Sequence, residues 1–227
     1  MQSNDMKNPK KIHSVMKILH EYYSHHTHPL VSRDRWDEIP KTPFTVLISC
    51  ILSLRTKDEI TEKASINLLK KYNIPEQIVN LDEKKIQKLI YPVGFYNVKS
   101  KRIKEISETL IEHYGGKVPN SLEDLLSLKG IGRKTANIVM VYGHNNTNFL
   151  PVDTHCHRIP NRLGWINTKT PEESETALKK ILPKKYWKEF NHLFVTFGQT
   201  ICTPISPHCS ICPIEKYCAQ INVKKHR

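Results

Sequence analysis

The sequence predicts an all-helical protein. Apolar residues recur at three- and four-residue steps through most of the chain, helix-start signals punctuate those runs, and no stretch shows sustained period-two alternation. Ile12, Val15, Met16, Leu19, Tyr22 and Tyr23 give one apolar face to a first helix over about Lys10 to Tyr23. Pro43 opens the next run, in which Phe44, Val46, Leu47, Ile48, Ile51, Leu52 and Leu54 leave almost no polar side. That helix should be central and buried. Thr56 with Glu59 has the form of a capping box and predicts a helix starting there, with Ile60, Ala64, Leu68 and Leu69 facing inward. Ile86, Leu89 and Ile90 mark another helix, and Ile103, Ile106 and Leu110 the one after. Ser121 with Asp124 caps a short helix bearing Leu122, Leu125 and Leu126. Thr170, Pro171 and Glu173 combine a cap, a proline at the first helical position and a reciprocal acid. A last long helix, about Lys184 to Gly198, should bury Tyr186, Phe190, Leu193, Phe194 and Phe197.

A length of 227 residues suits one large or two modest domains. The longest apolar run, Val46 to Leu54, is interrupted by Ser49 and Ser53 and falls short of the roughly 20 residues that cross a bilayer, which excludes a transmembrane protein. Met1 to Lys11 is polar and basic with no apolar stretch behind it, so an ordinary secretory signal is excluded and a cytosolic location is expected. Lys and Arg number 35 against 22 Asp and Glu, a net charge of +13, which favours polyanionic partners. Nucleic acid is the commonest soluble polyanion; a merely soluble basic protein is the alternative.

Six cysteines in a reducing compartment point away from disulfides. Cys202, Cys209, Cys212 and Cys218 fall within 17 residues as C-x6-C-x2-C-x5-C, and such clustering reads as metal binding. Four local thiolates hold either a tetrahedral zinc or an iron–sulfur cube, and spacing leaves both open. Cys50 and Cys156 stand apart and read as core thiols. The histidines, His25, His26 and His28 among them, match no zinc spacing.

The segment Leu128-Lys129-Gly130-Ile131-Gly132-Arg133-Lys134-Thr135-Ala136-Asn137 places two glycines between two amphipathic runs. Glycine permits positive φ and removes the Cβ that would block a partner's approach, while the N–H groups opening the following helix suit a phosphate oxygen. Lys129, Arg133 and Lys134 add full positive charge. Lys134 in the first helical turn, among cations, should have a lowered pKa. That matters because an unperturbed lysine is neutral in only about one molecule in 2,500 at pH 7, and only the neutral amine is a nucleophile. Phosphate contact and nucleophile both remain open for Lys134. Asp153, in Pro151-Val152-Asp153-Thr154-His155, is open to three roles: helix cap, ion-pair partner of Arg158 or Arg162, or catalytic carboxylate.

Taken together, Leu-x-Gly-x-Gly-Arg-Lys-Thr-Ala-Asn at 128–137, Val-Asp-Thr-His at 152–155, Asn161-Arg162 and the cysteine cluster make the sequence resemble the endonuclease III family of helix-hairpin-helix DNA glycosylases, over about Thr42 to Cys218. The resemblance implies two helical domains with a cleft between them. Residues 37–146 would carry the hairpin, and residues 1–36 with 147–227 would form a discontinuous iron–sulfur domain. It implies a [4Fe–4S] cluster on the four cysteines, Lys134 as the nucleophile at the sugar C1′, and Asp153, facing it across the cleft, as the carboxylate that assists base departure. Gly130, Gly132 and Arg133 would contact DNA. The partner would be double-stranded DNA holding damaged pyrimidines or abasic sites, bound by a nucleoid-associated monomer with no membrane attachment. Departing from the family's bacterial pattern, the loop Thr203–His208 holds no lysine or arginine, so a phosphate-binding role for it does not carry over.

Chemistry at C1′ requires a flipped nucleotide, and inserted side chains offset the unstacking cost. Leu52-Ser53-Leu54-Arg55-Thr56 resembles the segment that fills the vacated space, with Arg55 in place of the family's glutamine, and Gly94-Phe95-Tyr96 resembles the second wedge. The plainer readings are a surface ion pair for Arg55 and core packing for Phe95; the run Lys179, Lys180, Lys184, Lys185 and Lys188 reads as a solvated face. The function so implied is a bifunctional glycosylase and β-lyase acting on oxidised pyrimidines such as thymine glycol. The alternatives are a monofunctional mismatch glycosylase and a non-enzymatic iron–sulfur DNA sensor.

Overall fold

The computed structural model describes residues 8–25 and 38–227. His26, His28 and the expected domain boundary at 36/37 lie outside the described residues. In chain order the α-helices are α1 (Pro9–Ser24), α2 (Pro43–Ser53), α3 (Asp58–Leu69), α4 (Pro75–Val79), α5 (Glu83–Ile90) and α6 (Tyr96–Tyr114). They continue with α7 (Leu122–Ser127), α8 (Arg133–Ile138), α9 (Thr154–Leu163), α10 (Pro171–Ile181) and α11 (Trp187–Thr200). Among the described residues there is no strand. The chain forms two compact units, Leu30–Phe149 and Met1–Pro29 with Leu150–Arg227.

In the first unit α2 is the core element. Thr42 Oγ1 accepts from Thr45 N at 3.2 Å and Thr45 Oγ1 accepts from Thr42 N at 3.0 Å, a reciprocal cap ahead of Pro43. Every residue from Phe44 to Leu52 is buried, and α2 packs against α3, α6, α8 and the π-helical turn Val139–Gly143 that continues α8. Full burial of each large aliphatic side chain contributes about 1.5–3 kcal/mol, so α2 sets this unit's stability. Gly143 lets the end of that turn lie against α2, since a Cβ there would sit 2.8 Å from Pro43 Cα.

The second unit buries Ile12, Val15, Met16 and Leu19 of α1 with Ile159 and Leu163 of α9 and the row Phe190, Leu193, Phe194, Phe197 of α11. Phe190 and Phe194 stack at 4.1 Å between ring centroids. Cys156 is fully buried there beside Asn191, whose Nδ2 donates to its Sγ at 3.5 Å.

Two local expectations changed. α3 begins at Asp58 and its N-cap is Lys57, not Thr56, because the Thr56 hydroxyl is drawn into contacts with distant residues described below. The last long helix opens with a 3₁₀ turn, Lys184–Tyr186, before α11 proper. Replacing Ile48 by Ala should cost about 2–5 kcal/mol through lost transfer energy plus an unfilled cavity, read from urea unfolding; an effect under 1 kcal/mol would mean that α2 is not the packed centre.

Candidate functional site

The hairpin begins where α7 ends. Gly130 has φ +82, in the left-handed region, and a Cβ there would meet Arg102 Nη1 at 2.4 Å. Gly132 differs: its backbone is extended (φ −92, ψ 169) and nothing lies within 4 Å of its Cβ position. Conformational freedom is needed at the first glycine only; the second leaves the helix start open to an approaching partner. Arg133 and Lys134 are the first two residues of α8, and Lys134 is exposed. Beneath them, burial pushes the Cys50 thiol up to about 12, with the positive charge of Lys134 acting in the opposite sense. Cys50 is thus a protonated core thiol beneath the start of α8.

Asp153 is the N-cap of α9 and is 8% exposed; its Oδ1 accepts from both His155 N and Cys156 N at 2.9 Å. Capping is therefore one of its roles, and a cap holds a carboxylate in one orientation. Arg158 gives its Nη2 to Cys202 O at 2.7 Å and Gly198 O at 3.2 Å. Burial lowers the Arg158 pKa, and the charges of Cys202 and Asp153 oppose that shift while Arg162 adds to it. Asn161 pins the turn after α9, donating to Thr168 Oγ1 at 3.0 Å and accepting from Thr168 N at 2.9 Å.

Cys202, Cys209, Cys212 and Cys218 line one pocket together with Arg162, Leu163, Phe197 and Ile214, and none is in a disulfide. N–H donors face two of the sulfurs: Arg162 Nη1 lies 3.3 Å from Cys202 Sγ, and Gln220 N 3.4 Å from Cys218 Sγ. Arg162 also donates to Thr203 O and Pro204 O, both at 2.7 Å, which fixes the loop after the first cysteine. Burial pushes Cys212 up to about 12 and Cys218 up to about 11, so these thiolates form only when metal supplies the opposing charge. Four sulfurs around one pocket match the number of thiolates an iron–sulfur cube takes. An iron–sulfur cube fits this donor set, held by the four cysteines; the bound cluster supplies cross-links to a segment with only short 3₁₀ turns and exposed Ile205 and Ile211.

Arg55 and Phe95 come together. Both are exposed, both are in the left-handed region (φ 52 and φ 59), and Arg55 Cζ lies 5.9 Å from the Phe95 ring centroid. Neither is glycine, so each carries about 1–3 kcal/mol of backbone strain, of the kind that collects at functional sites. Phe95, at 62% exposed, is not a core residue. The lysine run has local partners: Lys179 pairs with Glu175 at 2.7 Å, and Lys185 Nζ sits 4.9 Å from the Tyr186 ring.

Lys99 is the residue that sequence reasoning missed. It is 7% exposed, and its Nζ donates to Leu52 O, Leu54 O and Thr56 Oγ1. The signal was present, since Lys99 falls on the stripe continued by Ile103, Ile106 and Leu110, where an apolar residue is expected.

The profile of the iron-sulfur binding domain of endonuclease III matches residues 202–218, the four cysteines from first to last, and that of the HhH-GPD superfamily base excision DNA repair protein matches residues 48–184. Endonuclease III of Thermotoga maritima is 51% identical over 176 residues, 78% of this chain and 82% of the relative. The chain belongs to the endonuclease III family. Endonuclease III homolog 2, chloroplastic, of Arabidopsis thaliana is 45% identical; the match covers 77% of this chain and 47% of that longer protein. The fold is shared with a trapped endonuclease III–DNA covalent intermediate (TM-score 0.78, 29% identity, covering 94% of this chain and 96% of that one). It is shared too with a thermostable thymine-DNA glycosylase (TM-score 0.78, 26% identity, 93% and 96%). As a member of that family the protein is a DNA-binding glycosylase and abasic-site lyase of base excision repair, and its cysteine segment is that of a [4Fe–4S] cluster. Among the described residues no helix is long and apolar enough to cross a membrane.

Replacing Cys212 by Ala should strip iron from the purified protein, from about four atoms per chain, and bleach its yellow-brown colour. Full iron content in that variant would remove Cys212 from the ligand set.

Proposed function

We propose that this enzyme removes oxidised pyrimidines such as thymine glycol from duplex DNA and then cleaves the abasic strand, with Lys134 as nucleophile and Asp153 as the assisting carboxylate. The observation that carries the reading is the exposure of Lys134 at the second residue of α8, two positions after the open Gly132. In the proposed chemistry the neutral amine bonds to C1′ as the bond to the base breaks. The departing base takes a proton from the amine, the C1′–O4′ bond then opens to give the protonated imine with O4′ as a hydroxyl, and loss of a C2′ proton lets the C3′–O bond break by β-elimination with phosphate as the leaving group. Covalent catalysis of this kind splits one difficult displacement into easier steps. The cap bonds from His155 N and Cys156 N fix the orientation of the Asp153 carboxyl group at the start of α9, where a carboxylate would suit the positive charge that develops on the sugar. Gly130, Gly132 and Arg133 would take backbone phosphates, and the +13 charge implies binding that weakens steeply with salt. The enzyme would work as a monomer in the nucleoid.

Arg55 and Phe95 would fill the space of the flipped nucleotide. Guanidinium only donates, and guanine O6 and N7 only accept, so Arg55 favours lesions opposite guanine.

Incubation with thymine-glycol duplex and borohydride tests the chemistry. The unmodified enzyme should give a trapped covalent adduct and Lys134→Gln none, while Asp153→Asn, which keeps a capping side chain, should lose about 100-fold in rate with little change in stability. Base release without adduct would establish a monofunctional glycosylase instead, and binding without either a DNA sensor. Separately, excision opposite guanine should exceed excision opposite adenine by roughly tenfold, and Arg55→Gln should erase the difference. Equal rates opposite all four bases in both proteins would end that reading.

A further inference from the structure

Lys99 has no part in the chemistry above, yet its ammonium is fully committed. The three N–H groups of a lysine go to Leu52 O at 2.8 Å, Leu54 O at 2.6 Å and Thr56 Oγ1 at 3.0 Å, all in residues 52–56. Two acceptors are main-chain carbonyls at the end of α2, where helical carbonyls lack partners and positive charge is favoured. Burial pushes the amine down to about 8. A buried cation costs stability that an apolar side chain would not, so what Lys99 contributes is the placement of the segment it holds.

That segment carries Arg55, and Lys99 itself lies one turn from Phe95, the N-cap of α6. The two loops also touch through their backbones. Thr56 Oγ1 accepts from Gly94 N at 3.2 Å while also receiving Lys99 Nζ, and a Cβ on Gly94 would lie 2.7 Å from Arg55 O. One lysine, one hydroxyl and one glycine thus join the two strained, exposed residues.

We infer that Lys99 is a positioning residue that ties the Arg55 and Phe95 loops into a single unit, so that both side chains enter the duplex together when the lesion flips out. This rests on the wedge role proposed for Arg55 and Phe95. Misplacement by about 1 Å can cost up to 100-fold in rate without any loss of a reacting group.

Single-turnover excision of thymine glycol, measured for Lys99→Met, for Arg55→Ala/Phe95→Ala and for the triple variant, tests it. Lys99→Met should slow excision about tenfold with both wedge side chains present and by less than about twofold once they are removed, because coupled residues are non-additive. Fluorescence of 2-aminopurine placed opposite the lesion should change on binding of the unmodified enzyme and lose that change in Lys99→Met. An equal loss in both backgrounds overturns the inference and leaves the wedge standing. Undiminished excision by Arg55→Ala/Phe95→Ala removes the wedge and the inference with it, and an unaffected Lys99→Met overturns the inference alone. Should Lys99→Met fail to fold, Thr56→Val, which removes only the shared hydroxyl, decides by the same comparison.

Discussion

The burial of α2 is the constraint on which the hairpin-bearing unit depends. A helix buried along its whole length must be surrounded, and α3, α6, α8 and the π turn surround it. Its two ends are where the core stops. At the N-terminal end Gly143 allows the π turn to lie against Pro43, and at the C-terminal end orphan carbonyls take a buried ammonium and hold up Arg55. Cys50, inside α2, marks how close the apolar interior comes to Lys134, since burial outweighs that lysine's field and keeps the thiol protonated. Lys134 is the second residue of α8, which packs against this buried helix, and Arg55 follows the C-terminal end of α2, so the side chains proposed for the chemistry are carried by elements seated on the core of their unit.

The other unit solves a different problem. Its aromatic row on α11 builds an ordinary core, but the cysteine segment beyond it offers only short 3₁₀ turns with no buried residue. Ile214 anchors that segment in the core, and Arg162, with the metal–thiolate bonds the cluster would supply, ties down the rest. The guanidinium of Arg162 reaches Cys202 Sγ, Thr203 O and Pro204 O from α9, and α9 is the helix that Asp153 caps. A side chain proposed for catalysis thus also begins the helix that braces the cluster loop, so truncating Asp153 would disturb both. A cap-retaining substitution is needed to separate the two roles.

Much of this was legible because it is local. Periodicity located the principal helices, Pro43 opens α2 as its position predicts, and the caps at Ser121 and Thr170 are where the residue types put them. The hairpin lies within ten consecutive residues and the four cysteines within 17, so their chemistry could be read without knowing how the chain returns on itself. Where local reasoning failed, a distant group had intervened. Thr56 has the residue pattern of a helix cap, but its hydroxyl accepts from Gly94 and Lys99, 38 and 43 residues away, and Lys57 takes the cap position instead. Gly132 looked like a second positive-φ glycine and is extended, because sequence shows that a Cβ is absent but not which torsion its absence serves.

By itself the sequence determined the helical class, the buried central helix, the hairpin with its lysine and the cysteine ligand set, since each is specified by residues a few positions apart. Only the tertiary structure decided that Arg55 and Phe95 share one strained platform, and that a lysine on an apolar stripe holds them there. These depend on groups brought together from 40 or more residues apart or on torsions fixed by packing, and a linear pattern encodes neither.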